Sequence, residues 1–256
     1  FFVDDNLFVD AKQAETLCRA LTPLRISWSS QVSIDITRHD RVLNAMADSG
    51  CQAVIIGFES LDRRNLLQMN KRSCRDPDDY AAAVRSLRER GIMIYGTFVF
   101  GYDHDTVDSF DVALDFALRS KFFLANFNPL TPTPGTPLNN RLRRQGRLIH
   151  DPWWLSPDFR YGQAIFRPRN MTAKELTDGC YRTRLAFNRY RSLGYRALDW
   201  KSNARDPYRL GTHLLANLIS RREILRKQGL PLGDASPLEP AVAEPTAAPI
   251  ASGSAS

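Results

Sequence analysis

The chain has 256 residues, 43% of them hydrophobic, enough to bury one large core or a core with an extension. It carries 35 Lys+Arg against 28 Asp+Glu, a formal net charge of +7. No apolar run approaches the roughly 18 residues of a membrane-spanning helix, which excludes such a span within this sequence.

Elements in chain order begin with an apolar, extended stretch at residues 1–3. Residues 11–21 have helical spacing, with Asp10 as N-cap and Pro23 as the stop. Residues 26–32 are β-prone. Residues 41–49 form a helix closed by Gly50. Residues 53–58 are continuously apolar, as in a strand covered on both faces. A helix over 78–90 closed by Gly91, a strand over 92–100, a helix over 106–119 and a strand over 122–127 follow. This alternation predicts a parallel sheet with right-handed crossovers, an α/β fold.

The alternation stops near residue 138, which defines three zones. Residues 1–138 form the α/β zone, and residues 1–137 carry a net charge of −3. Residues 139–234 read as a basic, mostly helical extension; with Leu138 included, this region carries +12. Its helices are expected over 172–193, opened by a Thr172/Glu175 capping box, and over 210–228, stopped by Gly229 and Pro231. Residues 235–256 are rich in Ala, Pro and Ser and carry −2, a composition expected of a disordered tail.

Cys18, Cys51, Cys74 and Cys180 lie 33, 23 and 106 residues apart, a pattern of no zinc, iron–sulfur or redox motif. Reduced, structural thiols in a cytoplasmic protein are expected. His39, His104, His150 and His213 stand at no ligand spacing and are expected on the surface or at caps.

Candidate site residues cluster where strands end, because parallel α/β folds place their ligands there. Asp4 and Asp5 close the first strand and suit an ammonium, a hydroxyl or a metal; the plain alternative is a loop cap. Gln31 and Ser30 close the second, where Gln31 can donate and accept. Glu59 and Ser60 end the apolar run Ala53-Val-Ile-Ile-Gly-Phe58. A carboxylate there must be paired, hydrated or ligand-bound, and Gly57 marks a close approach. Gly101 permits a turn against a ligand, with Asp103 and Asp105 beyond it as candidate helix caps. Pro132, Pro134, Gly135 and Pro137 make a rigid turn that either paves a ligand floor or stiffens a connector. Arg141, Arg143, Arg144 and Arg147, and the arginines of 182–191, are either a solvated face or an attraction for something anionic. No RNA-binding signature accompanies them, so nucleic acid is not the expected partner.

Together these motifs resemble the cobalamin-dependent branch of the radical S-adenosylmethionine (SAM) enzymes. Phe2-Val-Asp-Asp-Asn6 resembles the family's second barrel strand and Trp28-Ser-Ser-Gln31 the third. Gly57-Phe-Glu-Ser60 resembles the end of the fourth, Phe98-Val-Phe-Gly101 the fifth, and Pro132-Thr-Pro-Gly-Thr-Pro137 the end of the sixth. The extension, through Phe166-Arg-Pro-Arg-Asn-Met-Thr172 and residues 217–229, is similar to the group that includes hopanoid methylases.

The resemblance implies a partial radical SAM (β/α)6 barrel, strands two to six, with SAM bound across Asp4, Asp5, Gln31, Glu59, Ser60, Gly101, Pro134 and Gly135. It implies a [4Fe–4S] cluster at which SAM is cleaved to a 5′-deoxyadenosyl radical, and cobalamin as methyl carrier in the intact protein. The cluster's C-x-x-x-C-x-x-C triad is absent from this sequence. The expectation is therefore a C-terminal portion completed by a missing N-terminal half or by a companion chain bearing the triad, and inactive alone. The substrate is expected to be a small molecule or lipid, with residues 139–234 meeting an anionic membrane surface. The competing reading is a non-catalytic partner or binding module; an RNA-binding protein ranks below both.

Overall fold

A computed structural model describes residues 1–4, 6–8, 10–70 and 77–232, with the side chains of 77 and 78 left aside. The tail predicted over 235–256, Asp5 and Cys74 lie outside the described residues.

The described residues form a four-stranded parallel sheet in the order β1 (Trp28–Gln31), β2 (Cys51–Glu59), β3 (Met93–Phe100) and β4 (Leu124–Pro129). Sequential order with helical crossovers is the parallel α/β winding expected from the strand–helix rhythm. The stretch at 1–3 contributes one parallel bridge, Phe2 to Ser30, rather than a strand.

Helices α1 (Ala11–Leu21), α2 (Asp40–Asp48), α3 (Arg63–Gln68), α4 (Pro77–Glu89) and α5 (Asp108–Arg119) make the crossovers. Their ends follow local chemistry. Asp10 accepts from the Gln13 amide at 2.8 Å and caps α1. Gly50 and Gly91 take positive φ, +91° and +78°, behind α2 and α4. The short α3, which the apolar pattern did not announce, starts on Asp62, whose carboxylate accepts from the Arg64 amide at 2.7 Å.

Side chains alternate between the two faces of the sheet. Val54, Ile56, Phe58, Ile94, Phe98, Phe100, Ala125 and Phe127 are buried. Phe58 stacks on Phe98 at 5.5 Å and on Phe122 at 5.1 Å, and meets Tyr80 of α4 edge-on at 5.2 Å. Gly96 is required there: a Cβ would come within 2.3 Å of the Phe122 ring.

After β4, Thr136 caps α6 (Pro137–Arg144), with Pro137 in its first turn. The helix expected over 172–193 is two: α7 (Ala173–Phe187), opened by the Thr172/Glu175 capping box, and α8 (Tyr190–Ala197). Arg189 between them is extended (φ −67°, ψ 148°), which breaks the run. Helix α9 (Pro207–Lys227) follows.

The extension and the sheet share one core. Phe159, Phe166, Leu176 and Phe187 belong to the same cluster as the strand residues. Gly179 on α7 lets the Phe110 ring of α5 sit where a Cβ would be, 2.3 Å away. Arg88 of α4 donates twice to Asp199, at 2.8 and 3.0 Å. His213, expected at the surface, is fully buried against Asn217 and Arg196; burial first, then the Arg196 charge, pushes its imidazole down to about 4. Phe187 is core, while Tyr190 is exposed.

Candidate functional site

The face of the sheet opposite the crossover helices is polar and half-exposed. It presents Ser29 and Gln31 on β1, Ile55 and Gly57 on β2, Tyr95, Thr97 and Val99 on β3, and Leu124, Asn126 and Asn128 on β4. Parallel register sets these in rows: Gln31, Ile55, Tyr95 and Leu124; then Gly57, Thr97 and Asn126; then Val99 and Asn128. Thr97, Asn126 and Asn128 carry polar groups toward the C-terminal strand ends, where parallel α/β folds bind ligands. Asn126 donates to the Tyr95 hydroxyl at 2.5 Å, which orients both. Thr97, Tyr95, Asn126 and Asn128 were not singled out from sequence; an every-second-residue polar pattern within β3 and β4 is the signal that carries them.

Glu59 sits at a β-bulge. The β2–β3 register slips between Gly57 and Glu59, and Glu59 has a left-handed backbone, φ +65°. A non-glycine residue in that region stores strain, of the kind that collects at binding sites. The bulge folds the carboxylate back over Gly57: Oε1 lies 2.3 Å from where a Gly57 Cβ would stand, with Thr97 Oγ1 3.7 Å from the same point. Gly57 therefore makes room for Glu59's own side chain.

Ser60, next along, is buried. Its hydroxyl accepts from the Asp62 amide at 3.1 Å and from Asn65 Nδ2 at 3.3 Å. Asn65 also donates to Asp105 at 2.7 Å. Glu59, Ser60, Asp62, Asp105 and Asp108 line a cavity of about 190 Å³ beside Phe98 and Phe100.

Asp103 and Asp105 are not helix caps: the residue before α5 is Val107, which makes no side-chain cap. Asp105 accepts from the amides of Gly101 (2.9 Å) and Tyr102 (3.0 Å) and pins the turn after β3. Burial pushes its carboxyl up to about 6 despite those bonds. Burial and then the negative charges of Glu59 and Asp105 push the Tyr102 phenol up.

Asp103 gathers arginines of the extension: Arg141 at 2.5 Å, Arg169 at 3.4 Å and Arg147 at 3.5 Å. Burial raises its carboxyl, but Arg141, then Arg169 and Gln68, offset this and leave it below the usual range. Part of the basic excess is thus spent on one internal carboxylate.

The remaining candidates are dispersed. Asp4 and Gln31 are exposed, the latter accepting from the Leu7 amide through its carbonyl at 3.2 Å. The Gly101 amide is already bound by Asp105. At φ +109° Gly101 packs against Phe166 and Leu176, and a Cβ would meet Phe166 at 2.9 Å. Pro134 and Gly135 form an exposed turn before Thr136. The structure thus brings Glu59 and Ser60 together with Asp105 in one cavity lining, sets Gln31 on the adjacent strand in register with Ile55, and leaves Asp4, Pro134 and Gly135 exposed.

The thiols do not suit metal ligation. Cys18, Cys51 and Cys180 are buried and free, and burial pushes each thiol up, Cys180 to about 12. Among the described residues no group of three His, Cys, Asp or Glu could hold a metal ion. Likewise, among the described residues no helix is long and apolar enough to cross a membrane.

No protein-family model matches the chain. It is 32% identical over 177 residues to the bacteriochlorophyllide d C-12(1)-methyltransferase of Chlorobaculum tepidum, covering 69% of this chain and 38% of that protein. It is 28% identical over 158 residues to the hopanoid C-2 methylase of Rhodopseudomonas palustris, covering 59% of this chain and 30% of that one. The chain thus spans about a third of the length of these curated relatives. Among solved structures, it matches the radical S-adenosylmethionine methyltransferase TsrM from Kitasatospora setae, with cobalamin and a [4Fe–4S] cluster bound. That match has a TM-score of 0.49 and 18% identity over 56% of this chain and 28% of that one, a likeness too distant to add weight.

Proposed function

We propose that this chain, similar to a bacteriochlorophyllide methyltransferase and to a hopanoid C-2 methylase, forms the SAM- and substrate-binding part of a cobalamin-dependent radical SAM methyltransferase. The observation that carries the reading is the strained bulge at Glu59, which sets a carboxylate over a glycine at the end of a parallel strand. SAM offers ribose hydroxyls and an ammonium group as donors, and a carboxylate on a polar, half-exposed face is a fitting acceptor. Thr97, Asn126 and Asn128 supply donors and acceptors on the same face for the adenine and the methionine carboxylate.

Residues 1–138 then serve as the partial barrel and 139–234 as the extension that closes one side of it. SAM, once bound to the whole enzyme, supplies the radical chemistry of the family, and cobalamin the methyl group. The cysteines described in this chain do not fit a [4Fe–4S] cluster. Its ligands are assigned to polypeptide outside these 256 residues, and the chain's own part is to bind and orient.

The extension supports a second contact. Tyr208, Leu215 and Ile219 are exposed and share a face of α9 with the exposed Arg222 and Arg226. That pattern suits an anionic lipid surface, and co-sedimentation with anionic but not neutral vesicles is the check.

The test of the main reading is SAM binding to the full protein by calorimetry. Glu59→Gln weakens it about tenfold or more, while Asp115→Asn, an exposed change on α5 outside the cavity, leaves it unchanged. Asp103 is a poor comparison because its loss frees three arginines. A protein that binds no SAM with or without Glu59 is instead the non-catalytic partner.

A further inference from the structure

Among the described residues, two arginines of the extension are buried without a carboxylate partner, and their surroundings differ. Arg196 is enclosed by acceptors: the carbonyls of Phe122 (2.9 Å), Phe123 (3.0 Å) and Phe187 (3.0 Å), and Asn217 Oδ1 (2.9 Å). It stacks 3.8 Å from the Phe187 ring. Five donors in a fixed fork are well occupied there, and the group is structural.

Arg184 on α7 is only 5% exposed. Its guanidinium donates to the Cys180 carbonyl at 3.3 Å and to Gln228 Oε1 at 3.4 Å, both long and both neutral acceptors. Among the described residues it makes no salt bridge. A buried cation with such weak compensation is costly.

Arg184 lines a cavity of about 330 Å³ at the end of β4, walled by Trp153, Phe159, Tyr161, Ile165 and Leu232. Trp153 contributes an aromatic wall; among the described residues its buried indole Nε1 has no hydrogen-bond acceptor. Asn128, the last residue of the polar face on β4, also lines the cavity and joins it to the candidate SAM site. Aromatic walls favour a flat or extended apolar body. The weakly compensated guanidinium favours a planar anion that its fork can grip in two bonds.

We propose that this cavity binds a carboxylate-bearing apolar molecule, its body against Trp153, Phe159 and Tyr161 and its carboxylate on Arg184. The inference deepens the reading above by naming a substrate class, and rests on that reading only for the role of substrate. Binding itself needs neither SAM nor a cluster. Arg184 is here a specificity-determining residue that accepts the acid and rejects its neutral analogue.

The probe pair is pyrenebutyric acid and its primary amide, equal in body and differing in charge, titrated into the full protein by fluorescence anisotropy. The acid binds at least tenfold more tightly than the amide, and inorganic phosphate does not displace it. Arg184→Met removes the preference, Arg184→Lys keeps part of it, and Trp153→Phe weakens the acid several-fold. Equal binding of acid and amide, or binding of neither, overturns the inference. So does a preference that survives Arg184→Met, or displacement by phosphate, which would mark a general anion site. If Arg184→Met fails to fold by circular dichroism, the acid–amide comparison on the unaltered protein decides. SAM titrated into the same sample separates the two readings: intact SAM binding without an acid preference overturns this inference alone.

Discussion

The two faces of the sheet are built from the same strands and do opposite work. On the helix-covered face, Phe58, Phe98, Phe122 and Phe127 stack in one aromatic cluster and are buried to within 1%. On the other, the residues that alternate with them are Gly57, Thr97, Asn126 and Asn128, half-exposed and polar. Strand periodicity allows one short segment to hold the fold with every second residue and present chemistry with the rest. Stability and binding should therefore separate by residue parity along β2, β3 and β4.

The strongest way to break that comparison is Phe58→Ala. It empties the centre of the aromatic cluster and is expected to cost about 3–5 kcal/mol, whereas Thr97→Ala on the opposite face costs below about 1 kcal/mol. Urea denaturation of both variants checks it; equal losses would mean that the polar face is core.

Asp103→Asn comes next. The change leaves Arg141, Arg147 and Arg169 facing one another over a nearly buried position. Partial exposure of the arginines limits the loss to about 2–4 kcal/mol, read as a lower denaturation midpoint that added salt partly restores.

A pH titration probes the extension. His213 is held near 4 in the folded chain against about 6.5 when unfolded. The unfolded state therefore binds the extra proton first. The contribution of His213 is fully present above about pH 6.5 and is lost as pH falls toward 4, on the order of 3 kcal/mol. His213→Gln should flatten the stability profile between pH 4 and 6.5.

A smaller effect on stability is expected of Gly57→Ala. The new methyl displaces the flexible end of Glu59 rather than backbone, so the cost stays near 1 kcal/mol, while SAM binding falls as far as in Glu59→Gln.

The strand–helix order was legible because apolar runs, caps and closing glycines agree at each step: Asp10, Gly50 and Gly91 all do what local chemistry requires. Helix α6 was hidden by reading Pro132 to Pro137 as a turn alone, although Thr136 followed by Pro137 is itself a helix-start signal. The break at Arg189 has no comparable marker, since helical residues flank it on both sides. The Glu59 carboxylate was visible as an anomaly at the end of an apolar strand, but its positive φ and the fold-back over Gly57 depend on pairing with β3. Asp103 and Asp105 read as caps because their true partners, Arg141, Arg147, Arg169 and the Gly101 amide, are set by tertiary contacts. Arg184 gave no signal: one arginine in a basic run looks like its exposed neighbours until burial singles it out.

The central claim is that the polar face and its C-terminal strand ends bind the adenosyl cofactor. Photolabelling the full protein with 8-azido-S-adenosylmethionine, followed by peptide mapping, tests it most directly. The account predicts labels on peptides spanning residues 57–61, 97–102 and 126–131, suppressed by excess SAM and weakened in Glu59→Gln. Suppressible labelling on the crossover helices instead, or none within this chain, would contradict it.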